Sequence, residues 1–406
     1  MTSTTMEAED MHPASALVPD FAKWSCNTTE AMQLRLVRQQ QGDFAASEPT
    51  IYDDIQPEFT YSMFGQHETA FGYKELSIKI YYTSGSLRPY LHIDYSDKYV
   101  PASSSKSDGA PEVQADDIEA ILKGYLPPDY CKNYDEFSRY VREDSVDFKP
   151  NGEKLAEYTR ESEEGEEETF EIYKSSFTDH SFRKLHRRMQ FFVPLFVEGA
   201  TYIDDEDEKW EIYTIYKREG TLQAYRYHFV GYCTAYPFFC WPDNTRMRIS
   251  QFLVLPPFQQ QGHGSKLYQT LYQYFTARKD VIELTVEDPN QEFCDMRDKN
   301  DFRHLLHQHA FDGVSAPVPE ATVKELCKKY KLTERQVHRC IEIYLLSGLN
   351  KLNADDYRTY RLQVKERLYN FNREALADME PEERKAKLHE TYLSIEEDYH
   401  RLLEVL

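Results

Sequence analysis

Apolar and polar residues alternate through Leu76, Ile78, Ile80 and Tyr82, and again through Leu91, Ile93 and Tyr95. A period of two marks strands with one buried face, and the intervening Ser84-Gly85-Ser86 predicts a hairpin joining them. Two short helices are expected around 116–124 and 134–142. After a strand at 170–173, Phe182, Leu185, Met189, Phe192 and Phe196 recur near one face, which predicts a helix from His180 to about Glu198. Pro194 should kink or end it. Two aromatic-rich antiparallel strands follow, 211–217 and 226–236, joined through Glu219-Gly220. Next come a strand at 247–255, a glycine turn, a helix that opens at the second glycine and runs over 265–277, and a buried strand at 281–286. Strand, crossover helix, strand gives an α/β core with an antiparallel half and a parallel pair.

From about Asp301 the pattern is helical. Thr322-x-x-Glu325 and Thr333-x-x-Gln336 both read as capping boxes, and Pro381 suits the first turn of a last long helix. There Leu388, Tyr392, Ile395, Tyr399, Leu402 and Leu406 form a heptad seam, short enough for packing within the chain. Residues 1–20 are polar and expected to be disordered, 101–111 read as a Ser/Lys/Gly-rich loop, and the acidic run 161–168 reads as a solvated hairpin loop. The fold class expected is α+β. A mixed N-terminal α+β domain (21–145) precedes an α/β core (146–300), and a helical domain (301–406) ends the chain.

Composition adds limits. Asp and Glu number 70 against 48 Lys and Arg, a net charge of −22. That field repels phosphate backbones, argues against direct DNA binding, and favours a Lys/Arg-rich partner, although solubility alone also accounts for it. The seven cysteines are odd in number and form no C-x-x-C pair, which disfavours zinc ribbons and disulfide frameworks. No metal site is expected. No apolar run reaches membrane-spanning length and the N-terminus has no signal-peptide pattern, so the expected setting is a reducing intracellular compartment.

The chemistry centres on Gln259-x-x-Gly262-x-Gly264, between the strand broken by Pro256-Pro257 and the helix. The two glycines permit positive φ or close approach of a ligand. Backbone N–H groups from Gln261 to Ser265 would face an anion at a helix N-terminus. His263 is expected to contribute its backbone only. Neither a Rossmann fingerprint nor a P-loop is present.

Strand, Q-x-x-G-x-G turn, helix and strand resemble the acetyl-CoA-binding motif of the Gcn5-related N-acetyltransferase (GNAT) superfamily. Longer strings resemble one family within it: Cys26-Asn-Thr-Thr-Glu-Ala31, Phe64-Gly-Gln-His-Glu-Thr-Ala-Phe-Gly-Tyr-Lys74, Tyr202-Ile-Asp-Asp205 with Trp210, Arg248-Ile-Ser-Gln-Phe-Leu253, and Glu287-Asp-Pro-Asn290 with Met296-Arg-Asp298. Together they look like the type B histone acetyltransferase catalytic subunits, over roughly residues 20–400. The resemblance implies acetyl-CoA as co-substrate. Phe252, Leu253 and Val254 would give backbone contacts to the pantetheine arm. Gln259, Gln260, Gln261, Gly262, His263, Gly264 and Ser265 would cradle the pyrophosphate, with Asn290 and Lys299 near the cofactor. Lys299 stands where the family can have arginine, and a lysine is a point charge without the bidentate fork.

Acetylating a lysine requires removing a proton from an ammonium of pKa near 10.4, which costs about 4.6 kcal/mol at pH 7, roughly 3.4 units. A partly desolvated carboxylate can take that proton directly or through water. Glu287, at the carboxyl end of the last core strand, is the expected principal base. Asp288 and Glu198 are alternates or relay partners. Cys233 and Cys240 read as core or groove lining, so no covalent intermediate is expected.

The family further implies the N-terminal tail of histone H4 as substrate, contacted by Gln66, His67 and Glu68 and by Tyr236, Pro237 and Phe238. The aromatics also read as plain core packing. A β-propeller (WD-repeat) histone chaperone is the implied partner, with activity in cytoplasm and nucleus and roles in histone deposition, chromatin assembly, silencing or DNA repair. Other readings are acetylation of other protein lysines or small amines, a helix-turn-helix DNA reader built on 323–330 and 334–347, and an inactive scaffold.

Overall fold

The computed structural model describes residues 18, 20–39, 49–101, 113–221, 224–350 and 352–406. The expected disordered stretch 1–20 lies outside them except for Val18 and Asp20, as does loop 101–111 except for Pro101. By compactness the chain divides into two units, residues 1–234 with 251–261, and 235–250 with 262–406.

In the first unit, β1 (Met32–Gln39), β2 (Pro49–Ile55), β3 (Ser77–Thr83) and β4 (Pro89–Asp94) form a sheet in the order β2-β1-β3-β4. Met32, Leu34 and Leu36 on β1 and Ile78, Ile80 and Tyr82 on β3 alternate with half-buried residues and give the sheet one fully buried face, while Val37 and Tyr90 are buried on the other. The β3–β4 pair is antiparallel, as the hairpin reading required. Its turn is fixed from outside. Asp144 accepts the Gly85 and Ser86 amides at 2.8 and 2.9 Å. A Cβ on Gly85 would come within 2.6 Å of the Phe148 ring and 2.7 Å of the Tyr227 carbonyl, so only glycine fits. Asp144 lies on α1 (Tyr134–Asp147), which packs Phe137 and Val141 against Val37 and Tyr90.

Also in this unit, β5 (Glu153–Glu161), β6 (Glu167–Ser176), β7 (Glu211–Thr221), β8 (Ala224–Cys240) and β9 (Asn244–Val254) lie in that order. The last two belong to it through 224–234 and 251–254. β5, β6 and β7 pair antiparallel, and the acidic run turns at Ser162–Glu166 as a hairpin. The helix from His180 breaks earlier than its proline suggested. The α-helix α2 (His180–Met189) passes into a 3₁₀ turn at Gln190–Phe192, and Pro194 sits in the first turn of Val193–Phe196. A proline nitrogen cannot donate to the carbonyl four residues back, but it fits a first turn, where that donor is unused.

The second unit holds the ends of β8 and β9 around their hairpin, then α3 (His263–Ala277) and β10 (Val281–Val286). β10 pairs parallel with β9 from Thr245↔Val281 to Ile249↔Val286. Five longer helices follow: α4 (Gln291–His307), α5 (Glu320–Tyr330), α6 (Glu334–Ser347), α7 (Ala354–Phe371) and α8 (Pro381–Leu403). Thr333 caps α6 by accepting the Gln336 amide. Thr322 caps nothing: α5 already begins at Glu320 behind Pro319, which places Thr322 inside its first turn. Along α8, Tyr392, Tyr399 and Leu402 are buried while Leu406 lies past the helix end, so the seam is shorter than the heptad pattern. Paired charges are buried in this bundle beside its apolar core. Glu342 is fully buried between the Arg367 guanidinium, at 2.7 and 2.8 Å, and the Tyr399 hydroxyl at 2.8 Å.

Candidate functional site

The turn before α3 is built by its own side chains. Gln259 Nε2 donates to the Val254 carbonyl at 2.9 Å, and Gln261 Nε2 donates to the Pro257 carbonyl at 2.8 Å while its Oε1 accepts from Arg160. Gln260 and Gly262 take φ of 60° and 87°. Gly262 is needed for that angle and not for room, because a Cβ there would meet nothing within 4 Å. Gly264 has no positive φ and lies inside the helix, which starts at His263, one residue earlier than expected.

At the start of α3 the N-cap is Gly262, no side chain caps the helix, and no acidic residue stands in its first turn. The first intrahelical bond runs from Lys266 N to the Gly262 carbonyl, so the Gly264 and Ser265 amides precede the bonded ladder. Uncapped amides thus stand at the positive end of a 15-residue helix, with no acidic residue in its first turn, an arrangement that favours an anion. His263 is buried. Ser265 Oγ accepts from Asn300 Nδ2 at 3.1 Å, and Asn300 Oδ1 accepts from Gln269 at 2.7 Å, so α4 holds the first turn of α3 in place. Nothing in the sequence signalled Asn300.

Of the other expected cofactor contacts, Leu253 is buried, Phe252 and Val254 are half-buried, and all three lie past Ile249, where the parallel register with β10 stops. Asn290 is the N-cap of α4 and its side chain accepts the Phe293 amide at 3.0 Å. Lys299 is half-buried on α4.

Glu287 follows β10 directly. Its amide donates to the Ile249 carbonyl at 2.9 Å, and its exposed carboxylate accepts a hydrogen bond from Ser250 Oγ at 2.6 Å. Asp288 is exposed with φ 31°. On the β8–β9 hairpin, Tyr236 and Phe238 pack edge-on at 5.0 Å, and the Arg248 guanidinium lies over Phe238 at 4.4 Å. That cation covers one face of a ring expected to receive the substrate's charge. Pro237 is half-buried beside them.

In the first unit Tyr61 gathers two expected residues. The Gly199 amide, next to exposed Glu198, donates to the Tyr61 hydroxyl at 2.8 Å. Glu68 Oε1 accepts the amides of Tyr61, at 3.1 Å, and of Thr60. One oxygen of Glu68 therefore holds its own loop. Gln66 and His67 are exposed. Gln251, buried within the Arg248–Leu253 string, donates to the Thr201 carbonyl at 2.8 Å and takes its own amide bond to Thr234 Oγ1 at 3.0 Å. Sequence reasoning assigned no role to Tyr61, Gln251 or Ser250. Cys233 is buried, and burial holds its thiol far above the range of a reactive cysteine. Among the described residues no group of three His, Cys, Asp or Glu is placed to hold a metal ion.

Three family models match the chain: "Histone acetyl transferase HAT1 N-terminus" over residues 24–198, "Acetyltransferase (GNAT) family" over 167–299, and "Fungal HAT1, C-terminal" over 298–350. A histone acetyltransferase type B catalytic subunit of Cryptococcus neoformans is 39% identical over 94% of this chain and 97% of its own length. The Homo sapiens protein of the same name is 34% identical over 97% of this chain and 96% of its own. Among solved structures, an aminoglycoside acetyltransferase from an uncultured soil metagenomic sample aligns with 32% of this chain and 86% of its own, at 18% identity and a TM-score of 0.25. With its GNAT core and near full-length likeness to these relatives, the chain belongs to the family of histone acetyltransferase type B catalytic subunits and is an acetyl-CoA-dependent acetyltransferase.

Proposed function

We propose that this enzyme acetylates the ε-amine of lysines in the N-terminal tail of free, newly made histone H4, with Glu287 as general base. Acetyl-CoA supplies a thioester whose carbonyl carbon accepts the amine lone pair; the C–S bond then breaks, and the CoA thiolate takes the second proton lost by the nitrogen and leaves as its thiol. The protein's part is to place that thioester and to take the ammonium proton. The amides at the start of α3 are assigned the diphosphate, the β9 backbone at Phe252–Val254 the pantetheine, and Asn290 and Lys299 supporting positions. Tail contacts are assigned to Gln66, His67 and Glu68 and, separately, to Tyr236, Pro237 and Phe238. Asp288 and Glu198 remain secondary acids.

The observation that carries this reading is the double anchoring of Glu287, by Ile249 through its backbone and by Ser250 through its carboxylate. A strand-end carboxylate fixed at both points is prepared to accept a proton in one orientation. The net charge of −22 supports a basic peptide as substrate. A helix-turn-helix function is not supported. Arg339 of that pair is held by Asp298 at 2.9 Å and by Asp398 at 3.2 Å, away from any phosphate.

Single-turnover acetylation of an H4 tail peptide tests the reading. Glu287→Gln should lower the rate by about 10²–10⁴, the usual worth of a general base, with acetyl-CoA affinity within about twofold. An undiminished rate removes Glu287 from the mechanism. Equal rates on a small amine would remove the peptide as substrate. The word "catalytic subunit" in the relatives' names supports a partner, for which the reading names a WD-repeat histone chaperone and work in both cytoplasm and nucleus in histone deposition. Tagged chain recovered from both compartments without such a protein would count against it.

A further inference from the structure

We propose that Ser250 is a positioning residue for the acetyl transfer, fixing the rotamer of Glu287 so that one carboxylate oxygen is held and the other is left to take the proton. This rests on Glu287 being the base.

Ile249 on β9 pairs with Val286 on β10, and Glu287 N donates to the Ile249 carbonyl at 2.9 Å. In a parallel pair the next residues along, Ser250 and Glu287, then project side by side from one face. The Ser250 hydroxyl donates to Glu287 Oε2 at 2.6 Å, the short length of a bond to a charged acceptor. The parallel register ends at this step, so the strands supply the last backbone contact and the serine supplies the next one.

The consequence is chemical. Glu287 is exposed, and an exposed glutamate otherwise populates several rotamers, most of which aim it away from any one amine. A donor on Oε2 selects one of them. Oε1 stays open to accept the ammonium proton, the amine lone pair so released attacks the acetyl carbonyl, and CoA departs with its sulfur electrons and takes up the second proton that the nitrogen loses. Ser250 itself neither gains nor loses a proton across the reaction.

Ser250→Ala and Ser250→Thr test this, alone and combined with Glu287→Gln. Ser250→Ala should lower kcat about tenfold with both KM values within about twofold, since only the fraction of correctly aimed base changes. Ser250→Thr, which keeps the hydroxyl, should recover most of the rate. In the Glu287→Gln background, Ser250→Ala should cost little more, since both act through one group. A Ser250→Ala enzyme with wild-type kcat, beside a crippled Glu287→Gln enzyme, overturns this proposal alone. Additive losses in the double variant overturn it too. Full turnover by Glu287→Gln overturns the base reading, and this proposal with it.

Discussion

His186 shows how much one misplaced polar ring can weigh. It is fully buried against Phe177, 4.8 Å between ring centroids, and near Phe182 and Tyr232. Neither of its ring nitrogens meets a partner among the described residues. Burial pushes its pKa down to about 3 from the usual 6.5. A histidine whose folded value is depressed leaves stability intact above about pH 6.5 and removes it as pH falls toward 3, because protons then favour the unfolded chain. At pH 5 the loss is about 2 kcal/mol. His186→Phe should abolish that part. Urea unfolding at pH 7.5 and pH 5.0 should show the variant gaining about 2 kcal/mol on the wild type between the two. An equal pH response in both proteins would contradict it. The amphipathic pattern of 180–198 announced a buried face but passed over His186, because periodicity marks positions and says nothing about which polar residue a packed face has enclosed. Ser250 was hidden for a related reason. It stood inside the Arg248-Ile-Ser-Gln-Phe-Leu253 string, yet its partner is 37 residues on and set by strand register, which no local pattern encodes.

At the scale of elements, the two Thr-x-x-Glu/Gln strings separate what a motif says from what a chain does. Both have capping-box spacing, but only Thr333 accepts the amide three residues on. Its Gln336 side chain turns instead to Asp298 at 2.9 Å, so even here the reciprocal half of the box is missing. Pro319 offers a fixed φ immediately before Glu320, and the helix starts there, ahead of Thr322. Thr333→Ala should therefore cost about 1 kcal/mol and Thr322→Ala much less. Thermal unfolding of the two variants checks the order, and equal losses would contradict the assignment. Long periodic stretches were legible: the 76–95 hairpin and the parallel strand pair formed where the pattern placed them, and α3 differed only at its start. The bundle's buried charges were not, because Glu342 with Arg367 or Asp298 with Arg339 reads as a solvated face until its partner helix is known.

For the molecule as a whole, the acidic charge and the glycine turn pull in different directions. A chain of net charge −22 is a poor general host for a polyanionic cofactor, so the diphosphate needs a local site of opposite sign. We assign that site to the start of α3, which has a left-handed Gly262 as N-cap and no acidic residue in the first turn. The sequence displayed this turn clearly, since its glycines, the broken strand before it and the helix after it are contiguous. The account therefore stands on the amides at that helix start holding acetyl-CoA. Ser265→Asp tests it most directly, by calorimetric titration of acetyl-CoA into variant and wild type with thermal unfolding alongside. An acid in the first turn suits the helix dipole, by about 0.3–1 kcal/mol, but places a negative charge where the diphosphate would lie. The account predicts an unfolding temperature equal to or above the wild type together with acetyl-CoA affinity weakened about tenfold or more, a change of at least about 1.4 kcal/mol. An equally stable variant that binds acetyl-CoA as tightly as the wild type would contradict it.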